Sequence, residues 1–318
     1  MQVPTASVLL LTYNQEPYVK EALLSLLEQD YEGLEIVVSD DCSTDGTWLL
    51  INEIVQGYKG SKKVVLNQNS TNFGIVANYF KAFELSSGDL IFTAAGDDVS
   101  MPNRCSTCVQ LWVESDRKID LVAADAYDML ESGDVVGVKA TDALESWTPE
   151  RWVFDRPYVF GASHMMTRRL IGLRPLNTSL AVEDQCFVAR ALMMNGAKRC
   201  SVPLVKHRRG GVSQTRSRWN YDSKKSKLVA SAQNGLVECE EICKDGTLLG
   251  FDMSALLRVQ RDTHEFTIKV LESKNFTGTI KLLVKAEQVP FRKKIKFVSY
   301  VLFKPLHQFF FYLKAMKG

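Results

Sequence analysis

The 318 residues, 46% hydrophobic and 24% charged, make an ordinary globular chain, long enough for one large domain and an appendage. No run reaches the roughly 18 apolar residues that a membrane span needs, and the N-terminus shows no charged leader, so the expected setting is cytoplasmic. The net charge of +2 hides an asymmetry: residues 1–200 carry 17 Lys/Arg against 27 Asp/Glu, and residues 201–318 carry 22 against 10. An acidic body argues against a nucleic-acid binder, while the basic C-terminal third asks for phosphate or an acidic membrane surface.

Strand and helix signals alternate over the first 125 residues. Ala6–Thr12 is a short apolar run fit for a strand buried on both faces, and Tyr18–Gln29 carries a helical stripe of Val19, Ala22, Leu23, Leu26 and Leu27. Strand signals recur at Glu35–Ser39, Lys63–Leu66, Asp89–Ala94 and Asp120–Ala124. Helical ones lie at Thr47–Lys59, Ile75–Leu85 and Met101–Glu114. This alternation predicts a largely parallel sheet covered on both faces. Residues 126–182 are less regular, Glu183–Met194 reads as a helix, and Lys206–Arg218 as a basic loop. Residues 223–285 read as helical. The seven cysteines are scattered and odd in number, as for reduced thiols. Cys105-x-x-Cys108 and Cys239-x-x-x-Cys243 each fit one helix face, and buried thiols explain them better than zinc.

Ligands of such sheets sit beyond the C-terminal strand ends. Three polar clusters fall there: Thr12-Tyr13-Asn14-Gln15-Glu16, the run Asp40–Thr47, and Gly96-Asp97-Asp98. A helix cap by Ser43 or Asp45 accounts for one acid of the second cluster, not three. Adjacent carboxylates repel, and a hard cation such as Mg²⁺ or Mn²⁺ that also bridges diphosphate oxygens relieves the repulsion.

The ordered set of blocks resembles the family 2 glycosyltransferases of the GT-A fold. The blocks are Ser7–Asn14, Ile36–Thr47, Asn72-Phe73-Gly74 with Asn78, Ser87–Ile91, Gly96-Asp97-Asp98 with Pro102, and Glu183-Asp184. The resemblance covers roughly residues 5–215 and implies an α/β nucleotide-sugar-binding domain over 1–222 with a helical extension over 223–318. It implies that Tyr13 packs on a nucleobase, that Asp41 accepts a base N–H, and that Thr12, Asn14, Glu16, Asn72, Gly74 and Asn78 complete the nucleotide pocket. Asp97 and Asp98 stand at the metal motif, touching cation and ribose. Asp184 is the implied general base, with Glu183 beside it. Arg208 and Arg209 are expected on phosphate oxygens and His207 in the metal shell.

Two departures matter. Ala95 stands where an acidic residue often precedes the motif, and Gln214–Trp219 is one residue too long for the Gln-x-x-Arg-Trp signature of processive synthases. The expected activity is therefore addition of a single sugar, with inversion, from a nucleoside-diphosphate sugar (UDP-sugar first) to a saccharide acceptor in bacterial surface polysaccharide assembly. Sugar-nucleotide pyrophosphorylases are the nearest alternative, but they want a Gly-rich basic loop after the first strand. A non-catalytic nucleotide-sugar-binding subunit is the other, and the four acids together speak against it. Residues 290–318 hold seven Lys/Arg, no acid and many aromatic residues, broken at Lys304-Pro305. They read as a peripheral anchor on the anionic inner membrane face, suited to a lipid-diphosphate-linked acceptor.

Overall fold

The computed structural model describes residues 3–194, 196–210, 220–273 and 275–315. They form two units, Met1–Gln214 and Thr215–Gly318. The first opens with β1 (Ala6–Thr12), α1 (Val19–Leu27), β2 (Leu34–Asp40), α2 (Thr47–Gly57), β3 (Lys63–Gln68), α3 (Ile75–Leu85) and β4 (Leu90–Ala95). It continues with β5 (Val99–Ser100), α4 (Arg104–Glu114), β6 (Leu121–Met129), β7 (Val135–Lys139), α5 (Pro149–Phe154), β8 (His164–Thr167), α6 (Arg168–Ile171), α7 (Asp184–Met193) and β9 (Ala197–Arg208).

β1 and β2 are buried along their whole length, around the apolar runs Val8–Leu11 and Ile36–Val38. One sheet orders the strands β3-β2-β1-β4-β8-β6-β9-β5, with β7 paired to β6. β1 is parallel to both neighbours, Leu10 facing Val38 on one side and Ala94 on the other. The chain thus winds from β1 to β2 and β3, then crosses back to β4. That reversal is the topological switch point where open sheets bind ligands. The stripe of α1 (Val19, Ala22, Leu23, Leu26) is buried with Leu10, Val38, Phe92 and Cys108 of α4.

The parallel expectation holds for β3-β2-β1-β4 and for β6 with β9. It fails at β8, which inserts antiparallel between β4 and β6. β6 also runs five residues past the Ala124 end expected from the sequence. Its continuation carries the acids Asp125 and Asp128, which mask the apolar signal. Each is tied to an arginine, Asp125 Oδ2 to Arg199 at 2.6 Å and Asp128 Oδ1 to Arg209 at 2.8 Å. Lys206-His207-Arg208, expected in a loop, ends β9, where Lys206 pairs with Val99 of β5. The remainder of that expected loop, 211–218, and the Gln214–Trp219 stretch lie outside the described residues.

The second unit is helical: α8 (Tyr221–Leu249), α9 (Met253–Leu256), α10 (Arg258–Glu272), α11 (Phe276–Lys285), α12 (Phe291–Leu302) and α13 (Lys304–Ala315). Its boundaries follow from local chemistry. Asn220 and Asn275 cap α8 and α11 by accepting the Ser223 and Gly278 N–H at 2.7 Å. Gly250 ends α8 at φ +80°, a left-handed position that glycine takes without strain. Tyr221, Phe266, Val270, Leu271, Val289, Phe297, Val298, Tyr300 and Phe311 form its core. Pro305 sits in the first turn of α13, where its missing N–H costs nothing. Among the described residues no helix is long and apolar enough to cross a membrane.

Candidate active site

Three loops at the switch point are built by short-range polar chemistry. After β1, Asn14 adopts φ +51° and its Oδ1 accepts the Thr44 N–H at 2.8 Å, while its own N–H donates to Ser43 Oγ. Glu16 Oε2 accepts the Gly46 N–H at 2.8 Å. Both residues lace the β1 loop to the β2 loop, and neither lines the pocket beside them. Thr12 donates to Asp40 Oδ1, closing the same seam. Gly96 follows β4 where a Cβ would come within 2.4 Å of Gln15 Oε1 and 2.9 Å of the Thr12 methyl, so the β1 loop packs closely on the β4 loop at this glycine.

A pocket of about 530 Å³ opens over these loops. Thr12, Tyr13, Asp41, Asn72, Gly74, Asn78, Asp97, Glu183 and Asp184 line it, nine of the fifteen residues expected at the site. Tyr13 is half-exposed at the rim. Asp41 is buried, and its carboxylate accepts the Phe73 and Gly74 N–H groups at 2.9 and 2.8 Å and the Asn69 amide at 2.9 Å. It therefore shapes the 72–74 loop as well as facing the pocket. Asn78 joins the Ser39 carbonyl and Asn69 at the base of α3.

On the far wall, Glu183 and Asp184 start α7. Asp184 packs against Gly161, where an added Cβ would stand 3.1 Å from its own. Glu183 is 8% exposed, and its buried Oε2 has no hydrogen-bond partner. Burial first, and the Asp184 charge second, push its carboxyl up to about 7.

The acidic pair after β4 separates. Asp97 lines the pocket, and burial followed by the charge of Asp98 raises its carboxyl to about 6. Asp98 turns under the loop, where Oδ1 accepts the Arg208 N–H at 2.9 Å. His207 lies against Phe160, ring centroids 4.2 Å apart, and its buried Nδ1 stands 3.4 Å from Asp98 Oδ1 without a hydrogen-bond partner.

Carboxylate oxygens with one unpartnered imidazole nitrogen are suitable donors for Mn²⁺ or Mg²⁺. Among the described residues no three His, Cys, Asp or Glu groups form a ready-made metal cluster. A cation here would thus be held by one or two protein groups and complete its shell with phosphate oxygens and water, a common habit of Mg²⁺.

The two arginines expected on phosphate are engaged elsewhere. Arg209 pairs with Asp128 of β6. The Arg208 guanidinium is buried, donating to the Asp97 and Glu131 carbonyls at 3.0 Å and to Glu21 Oε2 at 2.7 Å. Bidentate capture of phosphate by either would first require breaking these bonds.

Residues that sequence reasoning passed over also line the pocket: Gln15, Thr93 and the Val159–Ala162 segment. Gln15 was visible in the first cluster. Thr93 sits inside a strand pattern, and 159–162 inside the irregular region.

Comparison with known proteins agrees with this geometry. The model of the family "Glycosyl transferase family 2" matches residues 7–166, half of the chain, and spans β1 to β8. The putative glycosyltransferase EpsE of Bacillus subtilis is 30% identical over 186 residues, 57% of this chain and 64% of that protein. The match thus spans a little under two thirds of that relative. S. aureus TarS 1–349 superposes with a TM-score of 0.59 at 18% identity, covering 91% of this chain and 82% of that one. Its complex with UDP-GlcNAc gives 0.54 at 19%, covering 92% and 89%. The mannosyltransferase PcManGT from Pyrobaculum calidifontis, with GDP-Man and Mn²⁺, gives 0.53 at 14%, covering 99% and 88%. At these identities the structures establish the fold, the GT-A type expected from the sequence. With this family model matching half of its length, the chain belongs to the family 2 glycosyltransferases.

Proposed function

We propose that the chain transfers a single sugar from a nucleoside-diphosphate sugar, with UDP as the first candidate nucleotide, to a saccharide hydroxyl with inversion, in assembly of bacterial surface polysaccharide. The observation that carries this reading is the lining of the pocket: Asp41, Asp97, Glu183 and Asp184 face it with no lysine, arginine or histidine among the described lining residues. Such a wall repels a bare diphosphate and accepts one that arrives with a divalent cation.

Asp184 serves as the base. It removes the acceptor proton as that oxygen forms its bond to the anomeric carbon, and the bond from that carbon to the diphosphate breaks on the opposite side. One displacement inverts the anomeric configuration. Tyr13 and the loop ordered by Asp41 hold the nucleobase. Asp97, with Asp98 and His207 behind it, would hold Mn²⁺ or Mg²⁺, which when bound neutralises the charge of the departing nucleoside diphosphate. TarS and PcManGT support nucleotide-sugar donors and a metal by analogy of fold.

The acceptor is read as lipid-diphosphate-linked. Phe291, Ile295, Phe303, Leu306, Phe309, Phe310 and Tyr312 of α12 and α13 and the turn between them are each more than half exposed, on a segment rich in lysine. A surface of that kind suits the headgroup zone of an anionic membrane at its cytoplasmic face.

The test is a screen of UDP-, GDP- and TDP-sugars for hydrolysis with Mn²⁺, with Mg²⁺ and after chelation. Turnover of one donor class, abolished by chelator, is expected. Full turnover after exhaustive chelation would remove the metal from the mechanism, and failure to bind any nucleoside diphosphate would remove the donor.

A further inference from the structure

The Arg208 side chain is 4% exposed and joins three separate segments. Nε donates to the Asp97 carbonyl at 3.0 Å, on the β4–β5 loop. Nη1 donates to the Glu131 carbonyl at 3.0 Å, in the β6–β7 turn. Nη2 pairs with Glu21 of α1 at 2.7 Å. The guanidinium also lies over the Tyr18 ring, 4.7 Å from its centre, and Tyr18 itself donates to Glu131 Oε1. The Arg208 peptide N–H holds Asp98 Oδ1 at 2.9 Å. One residue thereby grips the acidic loop at two adjacent positions, by a carbonyl and by a carboxylate. Neither grip consumes the Asp97 carboxylate, which stays on the pocket wall.

We propose that Arg208 is a positioning residue: it fixes the Asp97–Asp98 loop against α1 and the β6–β7 turn, so that Asp97 presents its carboxylate to the cation that accompanies the donor diphosphate. The proposal rests on the metal-dependent reading above. The planar fork of arginine serves three well-separated acceptors in fixed directions. Lysine, a single ammonium on a flexible stem, keeps the charge and loses the geometry. Groups that orient metal-binding residues without touching the metal typically change affinity by roughly 10–100-fold when removed. Glu21 is half-exposed and touches Arg208, so it tests the clamp from its far end with little risk to the fold.

The experiment titrates Mn²⁺ by the electron paramagnetic resonance of the free ion, with and without UDP or GDP, on wild type, Arg208→Lys, Glu21→Gln, the double variant and Asp97→Asn. Thermal unfolding is followed in parallel. Arg208→Lys is expected to lose roughly 10–100-fold in Mn²⁺ affinity with nucleotide present. Glu21→Gln should lose less, in the same direction. The double variant should be no worse than Arg208→Lys, because both break one clamp.

Wild-type Mn²⁺ affinity in a folded Arg208→Lys, whatever its unfolding temperature, overturns the proposal. If instead nucleotide affinity falls equally with and without Mn²⁺ and Glu21→Gln changes nothing, Arg208 binds phosphate and the proposal fails. If Arg208→Lys does not fold, wild-type Mn²⁺ affinity in Glu21→Gln overturns it. Undiminished Mn²⁺ affinity in Asp97→Asn overturns the underlying metal reading instead, whatever Arg208 does.

Discussion

Glu183→Gln isolates the electrostatics of the far pocket wall. The native carboxyl is buried, stands beside Asp184, and is held at about 7 against an ordinary 4.5. Below pH 4.5 folded and unfolded chains both carry the proton, so the residue contributes no pH dependence. Between 4.5 and 7 the unfolded chain ionises and the folded one does not, so stability falls as pH rises. Above 7 both are ionised and the loss is constant, about 3 kcal/mol. Glutamine has nearly the shape of the protonated acid and cannot ionise. The stability difference between variant and wild type should be near zero at pH 4.5, grow in favour of the variant up to pH 7, and level off above it. For a unit of this size about 3 kcal/mol moves the unfolding midpoint by several degrees, which differential scanning fluorimetry at half-unit pH steps resolves. The second cause of the raised value is the Asp184 charge, so adding Asp184→Asn should shift that window to lower pH. A variant-to-wild-type difference independent of pH would refute the buried, neutral Glu183.

Three further outcomes follow from the site and the second unit. Asp184→Asn removes proton acceptance and keeps the shape, so kcat should fall by roughly 10²–10⁴-fold with donor binding near normal; wild-type turnover would move the base to Glu183. Asp41→Ala frees the Phe73 and Gly74 N–H groups, and calorimetry with nucleoside diphosphate and metal should show a loss of about 1–3 kcal/mol. Unchanged affinity would limit Asp41 to a role outside recognition. In the helical unit, Phe297, Val298, Tyr300 and Phe311 belong to the core, so deleting residues 290–318 would damage the fold. Changing exposed Leu306 and Phe309 to glutamate should instead abolish salt-sensitive co-sedimentation with anionic vesicles while leaving nucleotide binding intact, and vesicle binding that survives the change would refute the anchor.

The parallel half of the sheet was legible because β1 and β2 are buried on both faces and centre on the apolar runs Val8–Leu11 and Ile36–Val38. The antiparallel insertion was not. β8 has four residues, and its pattern His164-Met165-Met166-Thr167 is buried without a run of β-branched residues to announce it. The C-terminal half of β6 was hidden for another reason: buried acids satisfied by distant arginines look like loop residues until their partners are known. At the site, strand-end position pointed to Asp41 and Asp97, and the family resemblance to Asp184. It did not tell which polar residues face the pocket and which lace the loops together. Asn14 and Glu16 do the latter, and a left-handed backbone at Asn14 decides the matter, which spacing cannot reveal. The basic run at 206–209 was visible as charge, but its partners come from α1, the β4–β5 loop, β6 and the β6–β7 turn, up to 187 positions away.

That disposition of charge leads to a last expectation about how the donor enters. The arginines that end β9 are turned onto Glu21, Asp128 and main-chain carbonyls, while the pocket wall displays carboxyl groups alone among the described charged residues. A nucleoside diphosphate without metal must approach that wall against repulsion, and one carrying Mn²⁺ is drawn to it. Asp97→Asn should therefore act with opposite signs on the two forms. It deletes a repelling charge, so metal-free UDP or GDP binds more tightly than to wild type. It also deletes a cation ligand, so the Mn²⁺–nucleotide complex binds less tightly, by roughly 10-fold or more, a loss of at least about 1.4 kcal/mol. Calorimetry in chelator and in excess Mn²⁺ measures both on one protein. A general distortion of the site would weaken both forms, and a residue remote from the diphosphate would alter neither. Either result would refute the placement of Asp97 at the cation.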